Sequence, residues 1–192
     1  MTTYVALLRG INVGGKNRIE MACLRRALGS AGLNQVETYI QSGNILFESS
    51  QEEEHLEQLI VQTIQAQFNL FIPCVLRTAK ELEMLVEGLP FSPEEIAQAR
   101  VANQEGESLY VAALDRMPAY EDVASLNSLQ NPEDHIRLVD RNAYLLIRHS
   151  IRHSKLAGSL SRLNVTWTLR NWKTICKLEA RTRAHEKSRG LS

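Results

Sequence analysis

A glycine-rich segment near the N-terminus has the residue types that bind phosphate. Residues 10–17 read GINVGGKN and fit the pattern G-x-x-x-x-G-K, the front of a phosphate-binding loop. Glycines let backbone N–H groups converge on an anion, and a following helix adds the partial positive charge of its N-terminus. The segment lies between a predicted strand and a predicted helix, as the motif requires. We therefore predict an anion-binding loop, with a purely structural turn as the alternative.

Two features argue against a nucleotide-hydrolysing P-loop. The position after Lys16 is Asn17, so the hydroxyl that would bind Mg²⁺ in such a loop is missing. The first predicted helix is followed by an antiparallel hairpin, whereas a P-loop sheet needs parallel β-α-β crossovers. An anion site of another kind therefore remains as the functional interpretation.

Cations and side-chain amides elsewhere in the chain could complete such a site. Cations would neutralise a phosphate, amides would orient it, and a tryptophan flanked by cations could stack on a base. The candidates from the C-terminal region can contribute only if the segment around residue 170 lies near the first loop. The candidate anion-binding residues are Arg9, Asn12, Gly14, Gly15, Lys16, Asn17, Gln41, Asn44, Lys155, Arg170, Asn171 and Trp172.

No spacing in the sequence identifies a metal or a catalytic set. His149 and His153 are four residues apart, but we place His149 at the end of a strand, so they are not expected to share a helix face. The three cysteines, Cys23, Cys74 and Cys176, form no C-x-x-C pair and are expected to be small, reduced residues. Catalytic residues and cofactors are left unassigned, and no metal is expected.

Composition excludes two broad classes of protein. The chain has 192 residues, 44% of them hydrophobic, and its 22 basic and 22 acidic residues cancel. A disordered chain would need low hydrophobicity and high net charge. The longest apolar run is Leu109–Leu114, six residues, whereas a membrane-spanning helix needs about 20. The N-terminus has no basic start before its apolar run, so no signal peptide is predicted and a cytoplasmic location is expected.

The zero net charge conceals a strong asymmetry along the chain. Residues 1–47 carry five basic and two acidic residues, residues 48–140 carry five and eighteen, and residues 141–192 carry twelve and two. The net charges are therefore +3, −13 and +10. A basic segment of this kind indicates an anionic partner, unless it packs beside the acidic middle of the same chain.

Hydrophobic periodicity predicts the element order β-α-β-β-α-β twice. We predict an α+β protein made of two tandem ferredoxin-like halves with an extra C-terminal helix. The expected first half is 1–77, a helical connection is 78–107, the second half with the helix is 108–185, and 186–192 is a flexible tail. The first strands of the two halves, YVALLR from Tyr4 and YVAALD from Tyr110, match closely and favour duplication.

Three segments resemble a known bacterial family, domain of unknown function 1697. They are YVALLRGINVGGKN from Tyr4, TYIQSGN from Thr38, and RNWKT from Arg170 followed by Lys177-Leu178. The family usually has an asparagine where this chain has Lys173, so a role for that amide does not carry over. The resemblance covers almost the whole chain and implies a duplicated ferredoxin-like α+β fold in a bacterial protein. It implies no activity.

Three functions of different classes remain open from the sequence. The first is a binding module for an anionic ligand, either a nucleotide or the phosphates of a nucleic acid, at the glycine loop. The second is an enzyme acting on a phosphorylated small molecule in a cleft between the halves. The third is a regulatory or scaffold domain. No membrane partner is expected, and the oligomeric state is left open.

Overall fold

The computed structural model describes residues 1–128 and 133–190, which form two compact units. Unit 1 comprises Met1–Met84 together with Lys177–Ser192, and unit 2 comprises Leu85–Cys176. The chain therefore passes from one unit to the other within two helices, α3 (Ala79–Glu87) and α7 (Trp172–Gly190). Among the described helices, none is both long and apolar enough to cross a bilayer.

Unit 1 contains one antiparallel sheet with two helices packed on it. In chain order its elements are β1 (Thr2–Leu8), α1 (Met21–Ser30), β2 (Asn34–Tyr39), β3 (Asn44–Ser49), α2 (Glu53–Phe68) and β4 (Cys74–Thr78). The strands lie in the order β2-β3-β1-β4, and every neighbouring pair is antiparallel. The ends of β1 and β2 and the starts of β3 and β4 therefore lie at one end of the sheet.

The core of unit 1 follows from the two periodicities in its sequence. Alternate residues of β1 face the helices, because side chains in a strand point to opposite faces in turn. The helices supply residues three and four apart, which lie on one helix face. The buried cluster includes Tyr4, Ala6 and Leu8 from β1, Leu24 and Leu28 from α1, and Leu56, Ile60 and Ile64 from α2.

The C-terminal part of α7 is held in unit 1 by charged groups. The guanidinium of Arg181 pairs with Glu37 at 3.0 Å and lies over the ring of Tyr39, 5.5 Å from its centroid. Nδ1 of His185 lies 3.2 Å from Oε1 of Glu48, whose side chain is largely buried. These contacts attach residues after Cys176 to the β2–β3 side of the sheet.

Unit 2 repeats the arrangement of unit 1 and adds a helix before it. Its elements are α4 (Pro93–Ala102), β5 (Leu109–Leu114), α5 (Tyr120–Asn127), β6 (Asp134–Val139), β7 (Asn142–Ile147), α6 (Lys155–Gly158), a 3₁₀ turn (Leu160–Leu163), β8 (Trp167–Asn171) and the start of α7. The strand order is β6-β7-β5-β8, again antiparallel throughout.

The two sheets also agree in register. In unit 1 Val5 lies opposite Arg77 of β4, and in unit 2 Val111 lies opposite Arg170 of β8. Both arginines are buried, with relative exposures of 1% and 8%. Each one precedes the residue whose side chain caps the following helix, Thr78 for α3 and Asn171 for α7. The similarity between the two halves therefore extends from the sequences of β1 and β5 to the way these strands pair with β4 and β8.

Two helices, α3 and α4, begin with a capping box. The hydroxyl of Thr78 accepts from the backbone N–H of Glu81, whose carboxylate accepts from the N–H of Thr78 at 2.8 Å. Ser92 and Glu95 form the same reciprocal pair. Glu95 also pairs with Arg137, and this hydrogen bond is the main cause of a lowered pKa of the Glu95 carboxyl.

Several boundaries differ from those expected. The sequence predicts Ser49 or Ser50 as the N-cap of the second helix, but Ser49 belongs to β3 and α2 begins after Glu52 with no side-chain cap. The helix expected over 154–163 is only α6 and a 3₁₀ turn, because the chain leaves the α-helical path after Gly158. The last helix continues to Gly190, although a flexible tail was expected from residue 186.

The expected division of the chain also differs from the compact units. The connection was expected at 78–107 and the second half at 108–185, whereas the units divide within α3 and within α7. Leu129, expected in the helix after Pro118, and the final residues 191–192 lie outside the described part.

We predict that Gly43→Ala destabilises the protein by about 2–4 kcal/mol, the sum of a left-handed backbone penalty and overpacking. Gly43 has φ +76°, and a Cβ built there would lie 2.7 Å from Cβ of Leu8 and 2.8 Å from Cδ1 of Ile11. Urea denaturation would measure the change in the free energy of unfolding.

The matched control is Gly29→Ala in helix α1, where a Cβ meets nothing within 4 Å. That variant should gain about 0.5–1 kcal/mol. Equal midpoints for the two variants would contradict the prediction.

Candidate functional site

The glycine loop between β1 and α1 closes into a small hairpin. The backbone N–H of Lys16 donates to the carbonyl of Val13 at 3.0 Å, and the N–H of Asn12 donates to that of Asn17 at 3.1 Å. The two central residues, Gly14 and Gly15, have φ +58° and +78°. Positive φ at both positions defines a type I′ turn, in which glycine is favoured. Both glycines are therefore required by the turn itself.

The side chain of Asn12 ties this loop to the β2–β3 turn. Its Nδ2 donates to the carbonyl oxygens of Ile19 at 3.0 Å and Gln41 at 2.9 Å. Its Oδ1 accepts from the backbone N–H of Ile19 at 2.9 Å. Asn12 was predicted to orient a ligand, but both donors of its amide are already used by the backbone.

The other two predicted asparagines of unit 1 also hold backbone. Nδ2 of Asn17 donates to the carbonyl of Gly10 at 3.0 Å, across the base of the loop. Asn44 is fully buried, and its Nδ2 donates to the carbonyl of Tyr39 and to the hydroxyl of Ser42, both at 3.0 Å. These amides fix the shape of the loop and of the neighbouring turn.

A cleft of about 430 Å³ lies beside the hairpin. It is lined by Asn12, Gly15, Arg18, Ile19, Glu20 and Gln41. The guanidinium of Arg18 lies against Gly15, with Nη2 3.8 Å from the position a Cβ would occupy. Within the described residues, the side chains of Arg18, Lys16 and Gln41 have no hydrogen-bond or ion-pair partner. Cations without partners beside an open cleft are available to a ligand.

Arg9, also predicted for this site, lies at the end of β1 and is partly exposed. Its backbone N–H donates to the carbonyl of Pro73 at 2.9 Å, which joins the loop to the start of β4.

Three residues that line the cleft were not predicted from the sequence: Arg18, Ile19 and Glu20. The phosphate-loop pattern ends at the residue after the lysine, and all three lie just beyond it. The adjoining cations in Lys16-Asn17-Arg18 were the available indication.

The four candidates from the C-terminal region lie in unit 2, where three of them have contacts of their own. Arg170 is buried and donates to the hydroxyl of Thr168 at 2.7 Å. Oδ1 of Asn171 accepts from the N–H of Thr174 at 2.8 Å and caps α7. The ring of Trp172 lies 6.4 Å from that of Tyr144. Lys155 is exposed at the start of α6.

Unit 2 has two adjoining clefts of its own, of about 450 and 490 Å³, that share Glu105, Ser150 and His153. Nε2 of His149 lies 3.2 Å from Oε2 of Glu133, and Ser154 donates to Asp134 at 2.6 Å. Tyr110 lines one cleft, and burial, with a smaller effect of Glu107, raises the pKa of its hydroxyl. Among the described residues, no three His, Cys, Asp or Glu side chains are grouped to hold a metal ion.

A comparison with known protein families shows which family this chain belongs to. The family described as "Protein of unknown function (DUF1697)" matches residues 1–144. This chain belongs to that family.

The DUF1697 protein is also similar to a solved structure, that of the conserved bacterial protein SP0830 from Streptococcus pneumoniae. The two are 26% identical with a TM-score of 0.71, and the match covers 94% of this chain and 98% of the other. A search of curated proteins found no match. The family and this structure agree with the α+β architecture and name no ligand or reaction.

We predict that Asn12→Asp destabilises this DUF1697 protein by about 1–3 kcal/mol, because the half-buried amide loses two hydrogen bonds that contribute about 0.5–1.5 kcal/mol each. The change replaces two donors with an oxygen that faces the carbonyl oxygens of Ile19 and Gln41. Urea denaturation would measure it. Asn34→Asp is the control, because Asn34 is exposed and its side chain has no hydrogen bond among the described residues. Similar losses in both variants would contradict the role given to Asn12.

Proposed function

We propose that this protein binds a phosphate-bearing ligand in the cleft beside the Val13–Lys16 hairpin. The observation that carries the proposal is the guanidinium of Arg18, which lies on the cleft wall and has no partner among the described residues. Arg offers a planar fork of donors that matches two phosphate oxygens. Lys16, which ends the Val13–Lys16 hairpin two residues before Arg18, supplies a second cation with no partner among the described residues.

The hydrogen bonds of the loop support this proposal, because they fix the loop before a ligand arrives. The amide of Asn12 fixes both walls of the cleft, the loop on one side and the β2–β3 turn that carries Gln41 on the other. A preformed loop does not have to be ordered on binding, which reduces the entropy cost.

The proposed function is binding without a chemical step. Besides Arg18, Glu20 is the only titratable residue among those that line the cleft. Its Oε2 accepts a hydrogen bond from the thiol of Cys23 at 3.5 Å, which directs the carboxylate along α1. The described residues that line the cleft therefore offer groups that hold an anion, and none of them has a hydroxyl, thiol or amine group.

We also infer that each unit is a ferredoxin-like half produced by duplication. The element order β-α-β-β-α-β in each unit, the shared strand order and the matched positions of Arg77 and Arg170 support this inference. A cytoplasmic location is part of the proposal, and the free thiols of Cys23, Cys74 and Cys176 support a reducing compartment.

We predict that Arg18→Ala weakens binding of inorganic pyrophosphate at least about tenfold, because a charge-assisted hydrogen bond contributes about 1.5–3 kcal/mol. Isothermal titration calorimetry at low salt would measure the affinity of the wild-type protein and the variant. Because Arg18 is exposed, its loss should leave the urea midpoint unchanged.

The matched control is Arg25→Ala, which removes the same charge from an exposed position on α1, where Arg25 has no partner among the described residues. This variant should bind pyrophosphate almost as well as the wild type. Equal affinities of Arg18→Ala and the wild type, or no binding by the wild type, would overturn the proposal.

A further inference from the structure

Three large apolar side chains are exposed at the end of unit 1 that carries the cleft. They are Val13, Ile40 and Phe71, with relative exposures of 64%, 49% and 73%. We call this surface the loop end of unit 1 and define it as residues 9–20, 40–43 and 69–73. Exposed apolar groups that gather at one end of a domain mark an interaction surface.

Backbone hydrogen bonds hold the three segments of the loop end together. The N–H of Leu8 donates to the carbonyl of Gly43 at 2.8 Å, and the N–H of Arg9 donates to that of Pro73 at 2.9 Å. The amide of Asn12 joins residues 12 and 41. The segments therefore follow four adjacent strand ends, which together extend over about 14 Å, three interstrand spacings.

The charge of the loop end selects an anionic partner. Its three segments contain Arg9, Lys16 and Arg18 as cations and Glu20 as the one acidic residue. The segments 40–43 and 69–73 contain no charged residue at all. Cations that bind phosphates and an exposed ring on which a base stacks are the two features with which proteins bind a single nucleic-acid strand, and the loop end has both.

In unit 1 the strands β2 and β3 offer no open aromatic ring on which a base could stack. Phe47 of β3 is fully buried and stacks on Tyr4, with ring centroids 5.6 Å apart. Tyr39 of β2 is covered by the guanidinium of Arg181. All residues of β3 are buried, so bases cannot stack on its side chains as they do on open sheets that bind RNA. Phe71 is the aromatic ring that the loop end leaves exposed.

We propose that the loop end of unit 1 binds single-stranded nucleic acid, with phosphates on Arg18 and Lys16 and a base stacked on Phe71. This inference rests on the proposed function, because the phosphate site is the cleft beside the hairpin. It adds to the proposed function the class of ligand, which is a single-stranded nucleic acid. The strand would extend from the cleft towards the start of β4 and cover the exposed side chains on the way. Because stacking on one ring accepts every base, binding should be tolerant of sequence.

Fluorescence anisotropy with labelled oligouridine of about 12 nucleotides, a length within the usual site size, tests the proposal. The Phe71→Ala variant should weaken binding at least about fivefold, because stacking contributes about 1–3 kcal/mol per base. The control is Tyr120→Ala, which removes an equally exposed ring, 83% accessible, from unit 2 and should leave the affinity unchanged. Arg18→Ala should also reduce the slope of log affinity against log salt by about 0.7.

A parallel titration with inorganic pyrophosphate separates this inference from the proposed function. If pyrophosphate binds and depends on Arg18, but oligouridine binds no more tightly or Phe71→Ala binds it equally well, the phosphate site stands and the nucleic-acid proposal is overturned. If neither probe binds, both proposals fail. If oligouridine binding depends on Phe71 and weakens steeply with salt, both are supported.

Discussion

The shape of the candidate site depends on one side-chain amide. Asn12 sits in the left-handed region with φ +54° and makes three hydrogen bonds to backbone groups of residues 19 and 41. Because asparagine tolerates this backbone conformation better than most residues, one position provides both the bend and the connection. The type I′ turn, the start of α1 and the β2–β3 turn are all positioned relative to this amide.

The loop also explains why polar residues can indicate a site without being its ligands. Asn12, Asn17 and Asn44 have amides that satisfy carbonyl groups which irregular backbone leaves without ladder partners. The side chains of Lys16 and Arg18, in the same segment, have no hydrogen-bond or ion-pair partner among the described residues. Asparagine amides therefore hold the backbone of the loop, whereas a lysine and an arginine are the groups that remain available to a ligand.

The order of elements could be predicted from the sequence, because hydrophobic periodicity and capping boxes are local properties. Features that depend on residues far apart in the sequence could not be predicted in this way. Ser49 is a good capping residue, but pairing with Thr2 of β1 places it in a strand. The use of Asn12 depends on Gln41, 29 residues away, and the missed Arg18 lies just beyond the pattern that drew attention to the loop.

The division of the chain within α7 has a consequence for how the protein is made. Arg181 and His185, which contact Glu37 and Glu48 of unit 1, follow the whole of unit 2 in the chain. Domains generally fold as the chain emerges, starting from the N-terminus. Here unit 2 has its full sequence before unit 1 does. During translation Glu37 and Glu48, on the β2–β3 side of the first sheet, therefore lack these two contacts until α7 leaves the ribosome.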